Sequence, residues 1–191
     1  MSISIFHIYD DEQSEYHPAT LRDRIIAQLI DGVILGVLTS LVLWVFSSGQ
    51  LYSVWISPMV PVYLLQVVEG HVVDPSHWWW GGYFVHLQIP YLSDLNLALP
   101  APLQWAYYAL YYTYFHTYFG QTPGKMMKGL VLLDLTAHKI TFRKSALRWV
   151  GYSFSLLPLG LGFWVSAQGV NKKTWHDRLA DTQVYRFIEL R

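Results

Sequence analysis

The chain has no cysteine among its 191 residues, which excludes disulfides, thiolate metal sites and catalysis by a thiol. Lysine and arginine are also missing from a long interval, because all 13 lie at or before Arg24 or at or after Lys125. Aromatic and aliphatic residues crowd that interval, and its acidic residues are Asp31, Glu69, Asp74 and Asp94. Segments that cross or anchor to a bilayer have this composition. The gap therefore predicts a membrane protein whose two basic flanks are both cytoplasmic.

Charge is scarce in the whole chain, with 14% charged residues against 53% apolar residues and a formal net charge of zero. Soluble domains usually carry about 25% charged residues, so the composition favours an integral membrane protein with the lipid bilayer as a partner. A net charge of zero argues against a nucleic-acid partner, because phosphate binding needs concentrated cations. Residues 1–20 lack the basic region of a signal peptide and are interpreted as a cytoplasmic leader.

Two segments are predicted to be transmembrane helices. Ile25–Phe46 has Asp31 as its only ionisable residue and is long enough to cross about 30 Å of hydrocarbon. Ala101–Phe119 is rich in tyrosine and would return the chain to the cytoplasm. Between them, Leu51–Val68 is apolar but contains two prolines. Because a third crossing would put the basic stretch after Lys125 outside, we expect this segment to be external or re-entrant.

A third apolar run, Trp149–Ala167, has basic residues on both sides and contains Pro158, Gly160 and Gly162. A membrane hairpin bent at the proline keeps both flanks cytoplasmic, and a single crossing is the alternative. Leu130–Leu135 and Ile140–Phe142 flank a polar turn and predict a small cytoplasmic β-hairpin, to which residues 182–188 could add a strand. The predicted fold is thus an α-helical integral membrane protein with a small cytoplasmic sheet.

Polar and small residues in the first helix predict two features. Gln28, Gly32, Gly36 and Ser40 recur every four residues and form a stripe that a second helix could approach closely. Asp31 lies within the apolar span, where an ionised carboxylate needs a partner. The candidates are Arg24, Lys125 and Arg148, with the last two favoured. The alternatives are a structural ion pair and a relay for protons or cations.

The turn from Gly120 to Lys125 does not predict a nucleotide site. Three residues separate its glycines and Met126 follows the lysine, whereas a phosphate-binding loop needs four residues and then a hydroxyl. Thr122 as N-cap and Pro123 at the first helical position predict a helix start instead.

The segment 47–100 is predicted to be an external insert that bears aromatic and histidine residues. His71, Asp74, His77 and His86 could bind zinc or copper, although surface histidines are the simpler interpretation. No other cofactor is predicted. Trp78, Trp79 and Trp80 are typical of an interfacial anchor, and a ligand or partner platform is the alternative.

Three motifs together resemble the RDD family of multi-pass membrane proteins. They are Arg24-x-x-Ala27-x-x-Ile30-Asp31, the turn from Gly120 to Lys125, and Trp175-His176-Asp177-x-x-Ala180-x-Thr182. The resemblance covers about residues 20–46 and 101–187, and it implies that Arg24, Asp31 and Asp177 are the residues for which the family is named. Lys125 and Arg148 fit its polar pattern. The chain departs from the family in residues 47–100.

The resemblance implies a membrane domain over residues 21–187, followed by a tail at 188–191, in what we expect to be the bacterial inner membrane. No nucleophile motif accompanies His176 and Asp177, so we expect no enzymatic activity. The favoured function is a scaffold or accessory subunit of a membrane complex, with a homo-oligomer or another membrane protein as partner. A small cation/proton or solute transporter using Asp31 is the first alternative. Metal or haem handling by the insert histidines is the second.

Overall fold

A computed structural model describes residues 14–68, 78–87, 95–99, 101–136, 138–156 and 173–189. Helices and strands alternate irregularly along the chain, and the fold class is mixed helix and sheet. The elements are β1 (Ser14–Pro18), α1 (Leu21–Phe46), β2 (Leu51–Ile56), β3 (Tyr63–Val67), α2 (Trp78–Gly81), β4 (Tyr83–Leu87), β5 (Leu95–Leu99), α3 (Pro102–Phe119), α4 (Pro123–Met127), β6 (Leu130–Asp134), α5 (Phe142–Leu156), α6 (Trp175–Leu179) and β7 (Thr182–Glu189).

The chain forms two compact units. One comprises residues 1–28 and 111–191, and we call it the polar unit because it contains most of the buried charges described below. The other comprises residues 29–110, and we call it the insert unit. Each unit has its own β-sheet, whereas the sequence predicts only a small cytoplasmic one. The sheet content is therefore larger than predicted.

Helix α1 is the one described helix that is long and apolar enough to cross a membrane. It includes the predicted span 25–46 and begins four residues earlier, where Thr20 accepts a hydrogen bond from the backbone N–H of Asp23 at 3.2 Å. Its outward surface is apolar: Val33 and Val37 are each more than 65% exposed. Such a surface is costly in water and suits lipid. The helix ends where Ser48 and Gly49 adopt left-handed backbone angles.

The second predicted crossing corresponds to α3, which has nearly the predicted bounds. Its 18 residues include many tyrosines, so among the described helices it does not join α1 as a candidate span. Its crossing of the membrane stays a prediction. The predicted hairpin Trp149–Ala167 falls mostly on residues 157–172, which lie outside the described residues; its first residues belong to α5.

The sheet of the insert unit is antiparallel, with the strand order β2-β3-β5-β4. The segment Leu51–Val68 thus contains a β-hairpin, and Pro58 and Pro61 lie in its turn. Prolines suit a turn because they lack the N–H that a strand ladder requires. This fold of the insert was not predicted from the sequence.

The small-residue stripe of α1 lies against this hairpin. A Cβ atom added to Gly32 would approach Pro58 to 3.0 Å, and one added to Gly36 would approach Ile56 to 3.2 Å. Within the insert unit, therefore, the close neighbour that the stripe admits is a strand and its turn. At the start of the stripe, within the polar unit, Gln28 Oε1 accepts a hydrogen bond from the Tyr112 hydroxyl of α3 at 3.1 Å. The packing of another helix along the whole stripe stays a prediction.

The sheet of the polar unit has the strand order β1-β7-β6. The predicted strand near residues 182–188 is present as β7, and part of the predicted leader forms β1. The predicted hairpin of Leu130–Leu135 with Ile140–Phe142 was wrong. A single bridge joins Leu133 to Lys139, and Phe142 begins a helix because Thr141 accepts a hydrogen bond from Lys144 N–H at 3.4 Å. Strand β6 pairs with β7 instead.

One glycine of the insert unit has no room for a side chain. Gly82 has a φ of 78°, and an added Cβ would lie 2.1 Å from the carbonyl oxygen of Leu99. Gly129 has a comparable φ of 61° with open space around it.

We expect Gly129→Ala to lower the unfolding free energy by about 1 kcal/mol. Gly82→Ala should lower it by a further 1–3 kcal/mol or so, because backbone must shift. Thermal unfolding of both variants in detergent measures the difference, and equal effects would contradict it.

Candidate functional site

The polar unit contains a buried carboxylate at the start of α6. Asp177 is fully buried, and Thr174 precedes the helix as its N-cap. The Thr174 N–H donates to Asp177 Oδ2 at 3.0 Å, and the Asp177 N–H donates to Thr174 Oγ1 at 3.3 Å. This reciprocal capping box satisfies two backbone donors. It fixes the direction in which the Asp177 side chain leaves the helix.

Two buried arginines bind this carboxylate from different elements. Arg24 of α1 donates from Nη1 to Oδ2 at 2.5 Å, and Arg148 of α5 donates from Nη1 to Oδ1. Arg148 also donates to Thr182 Oγ1 at 2.8 Å and to the Tyr152 hydroxyl at 3.3 Å. We call Arg24, Arg148 and Asp177 the ion cluster. It joins α1, α5 and α6 within the polar unit.

Electrostatics keep the carboxylate ionised. Burial alone would raise the pKa of Asp177, but the guanidinium of Arg148 and then that of Arg24 hold this pKa well below its usual value. Protonating this carboxylate would leave two buried guanidinium charges without a counterion, which is costly. The cluster therefore stays charged at neutral pH.

His176 lies next to the cluster and is held neutral. Its burial lowers its pKa well below 6.5, and the nearby Arg148 charge lowers it further. Nδ1 lies 3.1 Å from Ser155 Oγ, and Nε2 lies 2.7 Å from Thr174 Oγ1. Gly151 of α5 makes room for the ring, because an added Cβ there would approach His176 Cβ to 2.9 Å. Both ring nitrogens thus have hydrogen-bonding partners.

Lys125 forms a second buried polar group of the same unit. Its Nζ lies 3.1 Å from His116 Nε2 and 3.4 Å from Thr122 Oγ1. The predicted helix start is confirmed, since Thr122 is the N-cap of α4 and Pro123 is its first residue. His116 was not singled out from the sequence, because its nine-residue separation from Lys125 matches no motif.

The structure brings together three of the five predicted signature residues. Arg24, Arg148 and Asp177 form the ion cluster, and Lys125 lies in the same unit. Asp31 belongs to the insert unit, where it is fully buried. Its pairing with a cation stays a prediction. Two positions that hold the cluster in place, Tyr152 and Thr174, were not singled out from the sequence. Thr182 was part of a predicted motif, but its hydrogen bond with Arg148 was not predicted. Thr174 precedes Asp177 by three residues, a spacing that signals a cap.

The side chains of the predicted metal ligands lie outside the part of the chain that the structure describes. His71, Asp74 and His77 lie outside the described residues, and so does the side chain of His86. Elsewhere, among the residues that the structure does describe, no three histidine or acidic side chains come close enough to hold a metal ion. Metal binding stays a prediction.

The tryptophans of the insert form α2. Trp80 is buried, and its ring stacks on Phe46 at a centroid distance of 5.8 Å. Trp78 and Trp79 are 48% and 44% exposed. The ring of Trp79 also meets Phe46, edge to face at a centroid distance of 5.5 Å. Two rings therefore anchor α2 to the end of α1, and the exposed surfaces of Trp78 and Trp79 remain available to lipid or to a partner.

The ion cluster contains Arg24 and Asp177, the first and last charged residues of the predicted motifs. A family model described as RDD family matches residues 18–181. The chain belongs to the RDD family. RDD proteins are membrane proteins, which agrees with the apolar surface of α1. No curated protein and no solved structure matches the chain.

Removing the carboxylate charge of this RDD protein should be strongly destabilising. Asp177→Asn keeps the size of the side chain but leaves two arginines buried without a counterion, so the unfolding free energy should fall by about 3–5 kcal/mol. Asp181→Asn is the matched control, because Asp181 is exposed and its left-handed backbone suits asparagine. Denaturant unfolding in detergent measures both. Similar small effects for the two variants would contradict the role of the cluster.

The neutral state of His176 predicts a pH dependence. Below pH 6.5 the unfolded chain takes up a proton at this histidine while the folded chain does not. Stability should therefore fall as the pH decreases, by up to about 1.4 kcal/mol per pH unit. His176→Gln should reduce the slope between pH 6.5 and 5 by the contribution of one proton, and any contribution of the other buried histidine, His116, should remain. His138→Gln, at an exposed position, should not change the slope. Unfolding free energies measured across this range test the claim, and identical slopes in all three proteins would refute it.

Proposed function

We propose that this RDD protein is a non-enzymatic scaffold or accessory subunit of a membrane complex. We further propose that it resides in the bacterial inner membrane with its basic loops in the cytoplasm. The observation that carries the proposal is that the side chains of Asp177 and His176 are already bound by buried partners. Both oxygens of Asp177 accept hydrogen bonds from buried donors, and both nitrogens of His176 face hydroxyl groups.

A catalytic or transporting carboxylate must exchange its partners during a cycle. Breaking a buried ion pair costs about 3–5 kcal/mol, so this cluster resists such exchange. The same rigidity suits a structural function, because the cluster fixes the start of α1 against α5 and α6. A rigid ion cluster therefore favours a protein that functions through its surfaces rather than through its buried charges.

The insert unit supports the proposal through its exposed apolar surface. Val54 and Trp55 of β2 are 54% and 51% exposed, and Tyr83 of β4 is 63% exposed. Strands β2 and β4 are the edges of the described sheet. Exposed apolar patches and sheet edges are features of interaction surfaces. A second copy of this chain or another membrane protein would be the partner.

The size of the purified protein in mild detergent tests this function. We expect a particle larger than the 22.2 kDa chain after the detergent mass is subtracted, and Val54→Glu should reduce it because a charge weakens an apolar contact. Leu135→Glu, at a half-exposed position of the polar unit, should leave the particle unchanged. A wild-type particle of one chain alone would contradict the proposal.

A transporter is the second candidate, because Asp31 is fully buried within the most apolar helix. Carboxylates at such positions commonly serve proton or ion pathways. The transporter hypothesis predicts that ion-driven flux in proteoliposomes is lost in Asp31→Asn and kept in Asp181→Asn. Flux that persists unchanged in Asp31→Asn would eliminate this candidate.

A further inference from the structure

Two cavities lie side by side along α5 in the polar unit. The first, of about 380 Å³, begins at the first turn of the helix. Its charged lining residues are the cations Arg143 and Lys144 and the anion Asp181. The second, of about 330 Å³, is lined mainly by the apolar side chains of Phe154, Trp175 and Leu179, together with Gly151 and the ring of His176. Leu179 lines both cavities. Together they form one surface that is basic at one end and apolar at the other.

The residues that line this surface follow one face of α5. Lys144, Leu147, Gly151 and Phe154 are spaced by three or four residues, which puts them on successive turns of the same face. From Lys144 to Phe154 the helix rises about 15 Å. The surface thus has the length and the polarity of a molecule with a charged head and an extended apolar chain.

The apolar end is exposed in the described structure. Leu147 and Trp175 are about 40% exposed, Leu179 is 47% exposed and Phe154 is 58% exposed. Four large apolar side chains from two elements are costly to leave in water. A surface that carries a tryptophan at one end and basic residues at the other is also typical of a membrane interface.

We propose that this surface binds an anionic phospholipid of the bilayer. Arg143 and Lys144 contact the lipid phosphate, and one acyl chain lies over Leu147, Phe154 and Leu179. Charge complementarity supports an anionic head, because Arg143 is exposed and its guanidinium can bind a phosphate with two hydrogen bonds. The Nζ of Lys144 lies 3.6 Å from Asp134, so Arg143 is the stronger of the two contacts. Basic surfaces at the cytoplasmic side of membrane proteins bind such head groups.

The lipid site stands independently of the proposed function, because a scaffold and a transporter would both be in contact with the bilayer. A bound phospholipid can be distinguished from bound inorganic phosphate, because inorganic phosphate lacks the acyl chain. The apolar half of the surface would therefore contribute nothing to the binding of inorganic phosphate.

Native mass spectrometry of the full chain in a neutral detergent tests the proposal, with added phosphatidylglycerol or phosphatidylcholine as the probe. We expect phosphatidylglycerol to be retained in preference to phosphatidylcholine. Arg143→Gln should weaken its retention about fivefold, and the double variant with Lys144→Gln should weaken it further. Phe154→Gln should also weaken it. The matched controls are Arg178→Gln on α6 and Val150→Gln on α5, both at exposed positions that do not line the cavities.

The outcomes separate clearly. Selective retention that falls in the three site variants and not in the two controls supports the site. Equal retention of the two lipids, or equal losses in site and control variants, overturns it. Thermal stabilisation by inorganic phosphate that depends on Arg143, with no preference between the lipids, assigns the surface to free phosphate and overturns the lipid proposal. A thermal melt of each variant without lipid confirms that it is folded.

Discussion

The polar unit depends on one carboxylate shared by two buried guanidinium groups. Burying Asp177, Arg24 or Arg148 alone would cost several kcal/mol, because each charge would lose its hydration without compensation. In the cluster, the Asp177 carboxylate accepts hydrogen bonds from both guanidinium groups and from the Thr174 N–H of the capping box. Among the described residues, Arg24 Nε is left without a hydrogen-bond partner. The interaction is only available when the start of α1, the middle of α5 and the first turn of α6 meet. It therefore specifies the arrangement of these elements as well as stabilising it.

The same charges determine the state of their neighbours. His176 is neutral because its site is buried and already holds two arginines, and a neutral ring can lie between Ser155 and Thr174. The small Gly151 lets that ring approach α5 closely. These residues form the polar core of the unit. The surfaces proposed to function are the sheet edges of the insert unit and the amphiphilic face of α5.

The sequence predicted the parts of the fold that follow from composition and local motifs. The absence of cations identified α1, the pair Thr122 and Pro123 identified the start of α4, and the motif around Asp177 identified the family. The pairing of strands that are distant in the sequence could not be predicted from local patterns. Residues 130–142 satisfy the local rules for a hairpin, yet β6 pairs with the distant β7 because Thr141 starts a helix. Likewise, Gly32 and Gly36 indicated a close contact but not that a strand makes it, because small residues only remove an obstacle.

A double-mutant cycle between Arg24 and Asp177 tests the central claim most directly. Unfolding free energies of the wild type, Arg24→Met, Asp177→Asn and the double variant give the coupling between α1 and α6, with residues separated by 153 positions in the chain. A structural cluster predicts a coupling of about 2 kcal/mol or more, so that the double variant is much less destabilised than the sum of the single variants. Additive effects, with a coupling below about 0.5 kcal/mol, would contradict the claim that this ion cluster holds the unit together.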